Sequence, residues 1–225
     1  DGILADEPLE RPGHVDHLWV PYGALGDWLP KAIVAAEDQR FWRHPGVDPL
    51  ALARAIRQNA THLRRISGAS TISSQVVRLA EPRARTPATK AREFFLATQM
   101  ERRLSKSAIL EQYLNRAPFG ANLVGAEAAS RRYFGKRAAD LALAEAALLA
   151  GLPQSPTRHR PDLHPDSALR RRAYVLDRML ATGAISAEQH AAARRAPAMR
   201  RHGGSLRRGV ARVRTAGASR SAPRR

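Results

Sequence analysis

The chain has 225 residues and 24.7 kDa, room for one sizeable domain with or without tails. At 44% hydrophobic and 26% charged it can bury a core, and without cysteine it excludes a disulfide scaffold, a thiol nucleophile and a thiolate-held metal. The formal net charge is +18, and 34 of the 38 Lys+Arg residues are arginine, so polyanions (nucleic acid, anionic lipid, a phosphorylated substrate) lead the candidate partners.

Residues 1–24 read as a linker with one short strand segment. Val15–Val20 alternates weakly and is expected to pair as a small hairpin near the start. From about residue 28 helical signals dominate. Pro30 opens a segment Lys31–Arg43 that Pro45-Gly46 ends. Asp48-Pro49 is a cap followed by proline, placing a helix over Leu50–Leu63, and Thr86-Pro87 repeats the device ahead of Ala88–Leu104. Ser105 caps Lys106–Asn115, in which Ile109, Leu110, Tyr113 and Leu114 form one apolar stripe. Further helices are predicted over Ala121–Phe134, Leu141–Gly151 and Ser167–Ala181. Ser186 with Gln189 makes a capping box for the last, to about Arg195. Residues 25–195 thus form the expected domain. Residues 196–225 hold nine arginines and no acid, half of the net charge, and are expected to be a disordered basic tail. No window reaches 18 uninterrupted apolar residues, so no membrane span is predicted. The chain starts at Asp1 without methionine or an apolar leader, and is expected to be a processed product or a piece of a longer protein.

Four constellations carry chemistry. Glu37-Asp38 ends an apolar helix ahead of Phe41, His44 and Gly46. Neighbouring helical residues diverge by about 100°, so one carboxylate can face a cleft while the other anchors structure. His44 has no His or Cys partner at ligand spacing and reads as a turn anchor. Gly68-Ala69-Ser70-Thr71 is a small-residue loop opening a helix, an arrangement suited to anions, with Gln75 and Arg78 one turn in. Lys90 and Glu93 place a carboxylate in a basic field, although an ordinary i, i+3 pair would look the same. Arg131-Arg132 and Arg170-Arg171-Arg172 are basic runs, weak evidence by themselves.

In order and spacing these segments resemble the glycosyltransferase family 51 domain of class A penicillin-binding proteins. The family's Glu-Asp-x-x-Phe-x-x-His-x-Gly pattern is met at Glu37, Asp38, Phe41, His44 and Gly46. Its Gly-Gly-Ser-Thr-Ile-Thr-x-Gln segment is similar to Gly68–Gln75, with Ala69 and Ser73 as departures. Its Arg-Lys-x-x-Glu motif keeps Lys90 and Glu93, with Thr89 in place of the arginine. The Lys-x-x-Ile-Leu-Glu-x-Tyr-Leu-Asn helix matches at Lys106–Asn115 without a gap. Segments around Asn115–Gly120 and Leu152–Pro156 resemble one subgroup, in which Gln154 stands where most members have lysine.

The resemblance implies a mainly α, lysozyme-like fold of two lobes flanking a long cleft, with a small N-terminal β element. It implies polymerisation of lipid II into β-1,4 glycan, with inversion and loss of undecaprenyl pyrophosphate. Glu37 would be the general base, and Glu93 a second catalytic carboxylate that organises the basic field or holds Mg²⁺ or Mn²⁺. Ser70, Thr71, Gln75, Arg78, Lys90, Arg132, Gln154 and Arg171 would contact the pyrophosphate. Asp38, Phe41, His44, Gly46 and Asn115 would support them. Partners would be lipid II, the growing glycan strand, the membrane surface and other cell-wall synthesis proteins, with no nucleic acid. The expected place is the periplasmic face of the bacterial inner membrane, with an N-terminal anchor outside this chain. Two rivals stand beside this reading: a lytic glycosidase with Glu37 as general acid, and a basic nucleic-acid-binding protein.

Overall fold

A computed structural model describes residues 16–62 and 70–197. The start of the predicted linker, the Ser67–Ala69 part of the small-residue loop and nearly all of the predicted tail lie outside the described residues.

The chain is mainly helical, as expected. In order it forms β1 (Asp16–His17), α1 (Trp28–Glu37), α2 (Pro49–His62), α3 (Ile72–Ala80), α4 (Pro87–Glu101), α5 (Lys106–Arg116), β2 (Pro118–Gly120), β3 (Leu123–Val124), α6 (Ala126–Phe134), α7 (Leu143–Ala150), α8 (Pro165–Ala181) and α9 (Ala187–Arg195). Side-chain oxygens set several helix starts. Thr71, Thr86, Ser105 and Ser186 each accept a backbone N–H three residues on, and Asp48 accepts from Leu50 and Ala51. Each such cap is worth about 1 kcal/mol. No helix among the described residues is long and apolar enough to cross a membrane.

Two groups of helices carry the site. In one, α1 packs against α7 and α8; in the other, α3 packs against α4 and α5. Leu29, Ala32, Ile33 and Ala35 are almost wholly buried, so α1 is a core helix. One continuous core runs from Leu25 to Ala193 through Leu110, Leu114, Leu148, Leu149, Leu176 and Met179. A helix buried along its length must end somewhere inside the protein, and α1 ends on Glu37.

Three expectations need correction. The helix over Lys31–Arg43 stops at Glu37, and Phe41–Arg43 is a separate 3-10 turn. Among the described residues the N-terminal strand makes no local hairpin: Asp16 and His17 pair in parallel with Leu123 and Val124, giving a three-stranded sheet in the order β1-β3-β2. The helix predicted from Ala121 starts at Ala126, because Pro118–Val124 is an antiparallel β2-β3 turn with Ala121 and Asn122 both at positive φ.

Candidate active site

Glu37 is the last residue of α1, and its side chain is only 12% exposed. Gln75, on α3, donates through Nε2 to Glu37 Oε2 at 3.0 Å. Arg78, one turn further, donates to Gln75 Oε1 at 3.3 Å. From α8, Arg171 brings a guanidinium nitrogen to 3.9 Å from Glu37 Oε1. Burial raises the Glu37 pKa above the ordinary carboxylate value. The Gln75 hydrogen bond and the charges of Arg171 and Arg78 oppose the rise, and Asp38 adds to it. The outcome is a carboxylate more basic than a surface glutamate, which suits proton abstraction near neutral pH.

Asp38 is spent on structure. Its carboxylate accepts the backbone N–H of Ile72 at 3.0 Å and lies 2.9 Å from His44 Nε2. The Gly46 N–H donates to the other ring nitrogen of His44. Thr71 Oγ1 donates to the Gly46 carbonyl at 2.6 Å and accepts from Ser74 N–H, so this hydroxyl is buried and fully engaged. Gly46 has φ +100°, and a Cβ there would lie 2.8 Å from the Ala97 and Thr98 backbone. Phe41 is wholly buried, with Lys106 Nζ 4.4 Å from its ring centroid. Lys106 donates to the His44 carbonyl and to Glu101, which also accepts from Ser73. The first motif is therefore a frame fixing the start of α3 against the end of α1. His44 is held within this turn through both ring nitrogens.

A second cluster sits at the N-terminal end of α3. Lys90 Nζ donates to Ser70 Oγ at 3.0 Å and to Glu93 Oε2 at 2.8 Å, and lies over the Phe94 ring at 4.5 Å. Glu93 is buried. Among the described residues no three His, Cys, Asp or Glu side chains form a group able to hold a metal. Glu93 offers one carboxylate already paired with an ammonium, a donor set that does not fit a divalent ion held by the protein.

The structure brings together Glu37, Gln75, Arg78 and Arg171, with Ser70 just before α3 and Lys90 and Glu93 on α4 as a neighbouring set. Gln154 is exposed in the turn after α7, and Arg132 is half-buried in the last turn of α6. Asn115 works elsewhere: its side chain accepts from Val20 N–H and donates to the Val20 carbonyl, both at 2.8 Å, pinning the entering chain to α5. Two residues were not singled out for the site in the sequence. Tyr113 belongs to the apolar stripe of α5, yet its hydroxyl feels the charges of Glu37, Arg78 and Arg171 as well as its burial. Gly151 is the floor under Arg171, since a Cβ there would lie 2.6 Å from Arg171 Cγ. A tyrosine interrupting an otherwise aliphatic stripe was the available signal for the first. The second had none.

Comparison with known proteins supplies the family. The profile of the family described as Transglycosylase matches residues 6–180. The chain is 46% identical over 193 residues to penicillin-binding protein 1C of Escherichia coli (strain K12), covering 84% of this chain and 25% of that protein. It is 45% identical over 174 residues to penicillin-binding protein 1A of Aquifex aeolicus (strain VF5), covering 77% of this chain and 24% of that one. The chain thus spans about a quarter of the length of these relatives. A crystal structure of penicillin-binding protein 1A from Haemophilus influenzae aligns with 56% of this chain and 16% of its own, at 31% identity and a TM-score of 0.40.

Proposed function

The chain belongs to the transglycosylase family, and from that premise we propose that it polymerises lipid II into β-1,4-linked glycan with inversion. The observation that carries the reading is the Glu37 carboxylate, buried at the end of a core helix, bonded by Gln75 on one oxygen and facing Arg171 with the other.

Glu37 takes the proton of the acceptor 4-hydroxyl as its oxygen attacks the donor anomeric carbon. The bond from that carbon to the pyrophosphate oxygen breaks, and undecaprenyl pyrophosphate leaves with the electron pair. Because the leaving group is already an anion, it needs cations and hydrogen bonds rather than a strong acid. Arg78, Lys90 and Arg171 supply charge, and Ser70 a hydroxyl. Glu93 holds Lys90 in place by their 2.8 Å ion pair. Arg132 and Gln154 would meet the pyrophosphate only once substrate bridges to them, and Thr71 would serve through the backbone at the start of α3. Any divalent ion would be carried by the lipid phosphates. The exposed Trp42 and Leu50 lie on the segment we assign to the membrane surface. The setting would be the periplasmic face of the inner membrane, with other cell-wall synthesis proteins as partners.

A two-carboxylate glycosidase on this scaffold would need a second free carboxylate flanking the scissile bond. Asp38 is bound to Ile72 and His44, which disfavours that reading. The nucleic-acid reading leaves the buried carboxylate unexplained. Incubation with labelled lipid II tests the proposal: polymer supports it, and intact lipid II with cleavage of preformed peptidoglycan would favour the lytic enzyme.

A further inference from the structure

Tyr113 Oη and Glu37 Oε1 are both buried polar oxygens without a hydrogen-bond partner among the described residues. Tyr113 is 1% exposed and projects from α5, which packs on α3, the helix that carries Gln75 and Arg78. The Glu37 charge opposes ionisation of this hydroxyl, while Arg78 and Arg171 favour it, so all four groups share one electrostatic neighbourhood. Burial pushes the Tyr113 pKa well above the ordinary phenol value, which keeps the proton on the oxygen and makes it a donor. A stripe of Ile109, Leu110 and Leu114 would accept phenylalanine here without stranding a polar atom.

We propose that Tyr113 is a positioning residue for Glu37, its hydroxyl donating through one buried water to the Oε1 that Gln75 leaves free. Each carboxylate oxygen then has one donor, from α3 and from α5, and the plane of the carboxylate is fixed against the approaching hydroxyl. The groups facing Glu37 are Asp38 beside it, Gln75 and Arg78 from α3, Tyr113 from α5 and Arg171 from α8. Tyr113 alone among them is an uncharged hydroxyl donor, and removing its hydrogen bond disfavours the ionised carboxylate. The inference rests on the reading of Glu37 as general base.

The test is the Glu37 titration in the full chain without substrate, followed by carboxyl ¹³C NMR and assigned with Glu37→Gln. Tyr113→Phe is expected to raise the midpoint by about one unit, the loss of one hydrogen bond to a charged group. The acid limb of kcat/KM with lipid II should move by the same amount, with KM within about twofold. Placing 3-fluorotyrosine at position 113 keeps the packing, acidifies the hydroxyl and should lower the midpoint. A midpoint unmoved in the folded variants overturns the proposal, and the fluorinated protein decides if Tyr113→Phe fails to fold. A wild-type chain that leaves lipid II intact overturns the polymerase reading instead, and the NMR titration still judges Tyr113.

Discussion

Gln75 Nε2 donates to Glu37 Oε2 at 3.0 Å across 38 residues of sequence, and it is itself polarised by Arg78 at 3.3 Å. The glutamine both orients the carboxylate and restrains the rise in its pKa. Gln75→Leu should keep the helix and remove the donor. A hydrogen bond to a charged group is worth about 1.5–3 kcal/mol, so turnover at neutral pH should fall about 10- to 100-fold and the acid limb should move to higher pH. Steady-state kinetics against pH would show both; an unmoved limb would mean that Gln75 only packs.

Glu37 should weaken the fold it serves. A carboxyl whose folded pKa lies above its unfolded value binds its proton more tightly when folded. Its stabilising contribution is complete below the unfolded value of 4.5 and is lost as pH rises through the folded one. Glu37→Gln escapes that loss. The variant should melt at a higher temperature than the parent at neutral pH, with the gain shrinking toward zero at about pH 4. Equal melting temperatures at both pH values would show that burial does not penalise the charge.

Gly151→Ala is a test of Arg171. The added methyl would lie 2.6 Å from Arg171 Cγ, while the backbone at φ −76° accepts alanine. We expect a native circular dichroism spectrum and a fall in turnover of about tenfold or more, since a shift near 1 Å in a positioning group is costly. Unchanged kinetics would remove Arg171 from the site.

Much of this was legible in the sequence. Thr86-Pro87 and Ser186 with Gln189 mark their helix starts by local chemistry, and the apolar spacing of Lys106–Asn115 gives α5 to within one residue. The end of α1 was not legible, because helical residues continue past Glu37. What stops the helix is Asp38 accepting from Ile72, a contact that crosses 34 residues. The β2-β3 turn was missed for a different reason. Ala121 and Asn122 take positive φ without glycine at either position, so the usual hairpin signal is absent. The candidate site residues came with the family resemblance at matching motif positions, whereas Gly151 and Tyr113 meet that cluster through atoms packed from other helices.

Glu93 and Gln154 should behave unlike Glu37. Glu93→Gln frees Lys90 from its 2.8 Å partner, so turnover should fall less than for Glu37→Gln and the apparent affinity for lipid II should change. Gln154→Lys adds a cation to an exposed turn and should leave turnover intact or raise it. Binding and turnover measured together separate the two effects. A large loss in Gln154→Lys with the fold intact would reveal a specific contact of the glutamine.

Glu37, the proposed base of a glycan polymerase, is the residue on which everything else depends. The most direct measurement incubates radiolabelled lipid II with the wild-type chain and with Glu37→Gln, resolving products by gel and reading lipid II binding separately. The wild-type chain should give polymer and release undecaprenyl pyrophosphate as it grows. Glu37→Gln should bind lipid II yet polymerise about 10²- to 10⁴-fold more slowly, the usual loss for a general base. Near-normal polymer from Glu37→Gln, or none from the wild type under the same conditions, would contradict that role.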